Sequence, residues 1–136
     1  MRVESFTSTN GLTRYILVDS SGVPVDVVLR FLRFKDNCGR ARNTLRAYCF
    51  HLKSYFEYLE FIGMSFSQIG MDEPAGFIRW LQNNHRQKKI VSFPAATVST
   101  YSARTMNVYL STVYAFYDYL SVSSKKSSFT ESVQHR

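Results

Sequence analysis

The chain has 136 residues, 45% of them hydrophobic, and 17 Lys+Arg against 10 Asp+Glu give a formal net charge of +7. That suits one folded domain of roughly 100–150 residues and argues against a wholly disordered chain. No apolar run approaches the roughly 18 residues of a membrane span, and Met1-Arg2-Val3-Glu4-Ser5 lacks the layout of a secretory signal, so a soluble, intracellular protein is expected.

Ser5 to Asn10 read as a polar leader. Leu12-Thr13-Arg14-Tyr15-Ile16-Leu17-Val18 has the β-branched and aromatic content of a short strand, ending at the turn formers Asp19-Ser20-Ser21-Gly22. A first helix is predicted from Pro24, whose fixed φ and missing N–H suit a first helical position, through Val28, Leu29, Phe31 and Leu32 to about Asn37, with Gly39 as the stop. After Gly39-Arg40-Ala41-Arg42, a second helix runs from Asn43 or Thr44 to Ile62 and ends at Gly63. A third, shorter helix starts behind Asp72-Glu73-Pro74 and carries Phe77, Ile78, Trp80 and Leu81. Asn83 to Tyr101, with the basic run His85-Arg86-Gln87-Lys88-Lys89 and then Phe93-Pro94-Ala95-Ala96, reads as a long loop. The fourth helix is capped by Ser102 and reaches about Val122, after which Ser123 to Ser128 is linker-like and the remaining tail is polar. The expected organisation is a leader and strand at 1–22, a helical domain at 23–122 and a linker and tail at 123–136.

Where the positive charge lies says more than its total. Arg40 to Phe56 holds four cations, Arg40, Arg42, Arg46 and Lys53, and no acid; Ala75 to Tyr117 holds five, Arg79, Arg86, Lys88, Lys89 and Arg104, again with no acid. The second and fourth helices also echo one another at an offset of 61 residues: Asn43-Thr44-Leu45-Arg46-Ala47-Tyr48 parallels Arg104-Thr105-Met106-Asn107-Val108-Tyr109, and Tyr55-Phe56 parallels Phe116-Tyr117. At 100° per residue, Leu45, Tyr48, Cys49, Leu52, Phe56 and Leu59 share one arc, as do Met106, Tyr109, Leu110, Val113, Tyr117 and Leu120. The opposite faces carry Asn43, Arg46, Ala47, Phe50 and Ser54 on one helix and Arg104, Asn107, Val108, Ser111 and Ala115 on the other. A merely solvated face would usually mix Glu with Lys, since opposite charges at i,i+4 support an exposed helix. An acid-free face of cations, amides and small residues suits close approach to phosphates and base edges, while a plain solvated surface is the other reading of the same residues.

Signals for enzymatic chemistry are absent. His51, His85 and His135 form no HxxxH or HExxH pair, Cys38 and Cys49 form no CxxC pair, and neither GxxxxGK[ST] nor GxGxxG occurs, so no metal or cofactor is expected. Asp72-Glu73 beside Pro74 marks a helix start better than an acid/base dyad. Most of the nine tyrosines and eleven phenylalanines fall on core stripes. Phe50, among polar neighbours on the outer face, could meet a thymine methyl or a sugar, or pack under the Lys88-Lys89 segment.

The pattern Gly39-x-x-x-x-Thr44-Leu45-x-x-Tyr48-x-x-x-Leu52-x-x-x-Phe56-x-x-Leu59, then Phe77-Ile78-x-Trp80-Leu81, then Ser102-Ala103-x-Thr105-Met106-Asn107-x-x-Leu110-x-x-x-x-x-Phe116-Tyr117-x-Tyr119-Leu120, resembles the N-terminal SAM-like core-binding domain of tyrosine recombinases, the phage-integrase and transposon-recombinase family. The likeness spans about Pro24 to Leu120, and the preceding strand resembles the lead-in of integrases from mobile elements. It implies an all-α fold, a four- to five-helix SAM-like bundle with a short N-terminal β-strand or hairpin, forming one jaw of a clamp with its second and fourth helices across the major groove. The family's DNA-facing positions fall on Thr44, Arg46, Ala47 and Phe50 and on Arg104, Thr105, Asn107 and Val108, although the two threonines could instead cap their helices. The family's catalytic arginines, lysine, histidines and tyrosine nucleophile belong to a second domain; this chain has no HxxR and stops at Arg136, so it is expected to be a non-catalytic piece of a longer recombinase.

The expected function is thus gripping duplex DNA for site-specific recombination, integration or transposition. Arg40, Arg42, Arg46, Lys53, Arg104 and the Lys88-Lys89 segment are the candidates for phosphates, and Arg46, Arg104 and Asn107 for bases, with Asn43 and Ser111 beside them. The full-length protein is expected to self-associate on DNA in a prokaryotic cytoplasm, with no membrane and no small-molecule ligand. Two other readings stay open: a helical module that meets an acidic protein partner, and a helix-turn-helix regulator, against which the long connection from Gly63 to Asp72 counts.

Overall fold

The computed structural model describes residues 1–69, 74–90 and 101–134, with side chains at 1–69, 75–83 and 101–123. The chain opens with an antiparallel hairpin, β1 (Arg2–Thr7) and β2 (Thr13–Val18), in register from Arg2 opposite Val18 to Thr7 opposite Thr13. β2 is the expected strand. β1 falls partly on the expected polar leader; its mostly exposed, polar sequence carries little strand signal of its own, and pairing with β2 makes it a strand. The hairpin is not a detached leader, since Leu17 and Val18 are each only 1% exposed and Met1 and Val3 also pack on the core.

After β2 the chain doubles back. The Asp19 carboxylate accepts the N–H groups of Ser21 and Val23, Pro24 bridges to Val18, and the Val25 N–H donates to the Leu17 carbonyl at 2.8 Å. The helix expected from Pro24 therefore begins two residues later, as α1 (Asp26–Asn37), because Pro24 is still held beside the strand. α2 (Arg42–Ile62) matches its expected extent and closes on Gly63 at φ 71°, where the Met64 N–H reaches back to the Leu59 carbonyl at 3.1 Å. The expected connection beyond it contains a single helical turn, α3 (Phe66–Ile69).

Two expected ends move outward. α4 (Pro74–Ile90) continues through Asn83–Ile90, expected as loop: arginine, glutamine and lysine are good helix formers, and no glycine or proline interrupts them. α5 (Ala103–Gln134) likewise runs past Val122 through the serine- and lysine-rich stretch expected as linker, which also lacks a breaker. The segment Phe93-Pro94-Ala95-Ala96 lies outside the described residues. α5 is capped as expected, with Ser102 Oγ accepting the Thr105 N–H at 3.2 Å. Just ahead of that cap, Gln82 of α4 holds both the N–H (2.9 Å) and the carbonyl (3.2 Å) of Tyr101.

The centre of the bundle is aromatic. Phe116 of α5 is fully buried and meets Phe31 of α1 (5.7 Å, 89°), Phe56 of α2 (5.9 Å, 72°) and Phe66 of α3 (6.0 Å, 66°), all edge to face. On the other flank of α2, Tyr55 and Tyr58 pack on Phe77 of α4 at 5.3 and 5.6 Å. The Tyr117 hydroxyl donates to the Phe66 carbonyl at 2.8 Å and so accepts from Tyr55 at 2.5 Å. Burial raises both phenols, and the bond between them raises the donor Tyr55 while easing Tyr117 down. Cys38 is exposed and Cys49 buried, and burial pushes the Cys49 thiol up to about 12.

Phe116→Ala should cost about 3–5 kcal/mol, a large share of a typical domain's stability, in urea melts followed by circular dichroism. A loss near that of an exposed aromatic would show that the ring is not the keystone of the bundle.

Candidate nucleic-acid interface

α2 starts without a side-chain cap, at Ala41. Its first residue, Arg42, turns inward: Nη1 donates to Asp36 Oδ2 at 3.2 Å and to the Thr13 carbonyl at 3.3 Å, and Nη2 pairs with Asp36 Oδ1. Arg14 of β2 reaches Asp36 Oδ2 at 2.9 Å. The Asp36 side chain is only 12% exposed, so two guanidinium groups offset the desolvation of one carboxylate and clasp the hairpin, α1 and α2 together. Arg42 was expected to face phosphates; the fold engages its guanidinium instead, through an acid just outside the acid-free tract.

The remaining expected residues of α2 emerge largely as their spacing requires. Asn43, Arg46 and Phe50 are exposed, as is Arg40 just ahead of the helix, while Thr44, Ala47 and Lys53 are half-buried. Lys53 lies 3.2 Å from Glu57 one turn on, a pair that offsets part of its charge. The Arg46 guanidinium lies 4.9 Å from the centre of the Phe50 ring, a neighbour that neither reading of Phe50 had anticipated. On α5, Arg104, Asn107, Val108 and Ser111 are exposed. Thr105 is half-buried and takes part in the cap, its N–H on Ser102 Oγ and its hydroxyl accepting from the same atom at 3.1 Å. Neither outer face is stacked into the interior. Lys88 and Lys89 lie in the last turn of α4, and their side chains fall outside the described residues.

The two helices meet on a polar seam that the sequence did not single out. His51 Nδ1 lies 2.8 Å from Thr112 Oγ1, and the His51 ring packs against Tyr109 with centroids 4.3 Å apart and planes tilted by 42°. Thr112 is 1% exposed and donates its hydroxyl to the Val108 carbonyl at 3.2 Å, leaving Oγ1 to accept from the Nδ1–H. Burial lowers the His51 pKa from its ordinary value. A signal was present, because Thr112 stands 61 residues after His51, the offset of the internal echo.

Among the described residues, no three His, Cys, Asp or Glu come together as a metal site, and no helix is long and apolar enough to cross a membrane. What the outer faces of α2 and α5 offer is a set of exposed guanidinium, amide and hydroxyl groups.

Residues 29–123 match the family of phage integrase N-terminal SAM-like domains. The chain is similar to transposase A from transposon Tn554 of Staphylococcus aureus, in strains Mu50 and N315, at 32% identity over 107 residues. The match covers 79% of this chain and 29% of each relative, so the chain spans less than a third of their length. No solved structure matches it.

Arg42→Ala should lower stability by about 1–3 kcal/mol, because it strips one partner from a largely buried carboxylate. The His51 seam sets a pH dependence. With its folded pKa below the ordinary value of 6.5, the unfolded chain takes up a proton first, so stability holds above about pH 6.5 and falls as pH drops below it toward the lowered folded value. The melting temperature should therefore fall on going from neutral to mildly acidic buffer, and His51→Gln should flatten that fall; an equal fall in the variant would place the titrating group elsewhere.

Proposed function

This chain belongs to the family of phage integrase N-terminal SAM-like domains, and we propose that it binds duplex DNA through the outer faces of α2 and α5 on behalf of a longer recombinase or transposase. One observation carries the reading: two helices of parallel sequence each expose a face with no acid over Asn43–Phe56 and Arg104–Tyr117, yet with cations and amides at corresponding positions. Arg40, Arg46, Lys53 and Arg104 would neutralise phosphates, joined by Lys88 and Lys89 of α4. Arg46, Arg104 and Asn107 carry the paired donors or acceptors that read base edges, with Asn43, Thr44 and Ser111 at the margins and Ala47, Phe50 and Val108 providing close apolar contact. Thr105 serves the cap first, and Arg42 is assigned to the fold.

Cutting and rejoining of strands belongs, in this reading, to the part of a longer protein that this domain would position on its target. Residues 23–122 would form the gripping unit, stiffened by the hairpin, and full-length copies would assemble on DNA in a prokaryotic cytoplasm. The domain alone should bind weakly, with a dissociation constant near the roughly 10⁻⁴ to 10⁻⁶ M of non-specific binders at physiological salt.

Fluorescence anisotropy with a labelled random-sequence duplex should show affinity falling about ten- to a hundredfold between about 50 and about 200 mM salt, the slope expected for a few neutralised phosphates. Arg46→Ala and Arg104→Ala should each weaken binding several-fold while changing stability by no more than about 0.5 kcal/mol. Salt-independent binding, or full affinity in both variants, would move the interface elsewhere, and displacement by an acidic protein in preference to DNA would favour a protein partner.

A further inference from the structure

Within the outward stretch Asn43–Ser54 of α2, Phe50 is the one large exposed apolar side chain, 40% exposed, and the Arg46 guanidinium lies over its ring at 4.9 Å. An arginine free in solvent samples many rotamers, and binding must freeze them; an arginine held over a ring one turn away has fewer left to lose. A phosphate accepts a guanidinium from many directions. A base edge does not, because two parallel N–H donors must lie in the plane of the base.

Resting on the DNA-binding reading above, we infer that Arg46 and Phe50 act as one guanine-reading unit. The ring fixes the guanidinium plane, and the free edge of Arg46 donates two hydrogen bonds to O6 and N7 of a guanine in the major groove. Phe50 is then a positioning residue that acts through Arg46. Its loss should reduce discrimination between sequences much more than affinity for DNA in general, a split that a merely structural role would not produce. Its exposure means that it can be replaced without opening the core.

The test is in vitro selection by the 136-residue chain from a duplex pool with a randomised segment, followed by binding to the selected duplex with its guanine replaced by 7-deazaguanine, which lacks N7. The wild type should enrich a guanine at one position and lose about five- to tenfold in affinity on the 7-deaza duplex. Phe50→Leu should show no preference at that position and be indifferent to the 7-deaza change, while its affinity for random duplex falls much less than its discrimination between sequences; Phe50→Tyr should keep the preference. Selection of the same guanine at equal strength by Phe50→Leu overturns the positioning role while the DNA-binding reading survives. No guanine enriched by the wild type overturns the readout itself, and unchanged binding of random duplex by Arg46→Ala, with Arg104→Ala equally unaffected, removes the interface and the unit with it.

Discussion

The arrangement depends on one aromatic ring being enclosed from three sides. Phe116 sits where α1, α2 and α3 converge on α5, each presenting a ring to it. Edge-to-face contacts have preferred geometry as well as buried area, so they fix how the helices are placed around α5. The Tyr55–Tyr117–Phe66 hydrogen-bond chain lies beside that ring and, together with the packing of Phe66 on Phe56 and Phe116, holds the one-turn helix α3, which is too short to be stable alone.

That central packing also explains which surfaces are left over for function. α2 has α4 on one flank and α5 on another, so Tyr55 and Tyr58 are buried in addition to the stripe that includes Leu45, Cys49, Leu52 and Leu59. What remains outside is a narrow arc carrying Asn43, Arg46 and Phe50. α5 is used in the same way, with Thr112 and Phe116 buried beside Met106 and Val113, and Arg104, Asn107, Val108 and Ser111 left outward. Polar groups on the outer arcs therefore cannot fold inward, and the seam at His51 and Thr112 joins the two helices midway along α2.

Much of this was legible in the sequence, for reasons that can be named. The starts of α2 and α5 and the end of α2 follow from periodicity, the Ser102 cap and Gly63, and the outer faces follow from the wheel. Local signals could not reveal what a neighbour imposes. Phe116 lay outside the apolar arc drawn for its helix and is fully buried because α1, α2 and α3 each bring a ring against it. β1 is polar and exists through its pairing with β2. Pro24 had the right chemistry for a helix start but was held back beside Val18. The extensions of α4 and α5 were missed because charge and serine content were read as loop, although helix ends are set by breakers and caps, and none intervenes there. In the candidate site, composition placed Arg42 among the DNA ligands, whereas only tertiary structure could bring Asp36 and Arg14 to it. The approach of Arg46 to the Phe50 ring was implicit in their four-residue spacing, yet that spacing alone does not choose between a neighbour on the same helix and one elsewhere.

The clasp at Asp36 separates two uses of positive charge. Its guanidinium groups are partly shielded and sit within hydrogen-bond reach of their counterion, a distance well inside the roughly 8 Å over which physiological salt screens. Arg40, Arg46 and Arg104 stand in open solvent, where screening is strongest. On the proposed DNA-binding reading, raising ionic strength would release the surface charges from a polyanion while leaving the scaffold intact, so the protein would elute from a phosphate-bearing resin with salt and be recovered folded.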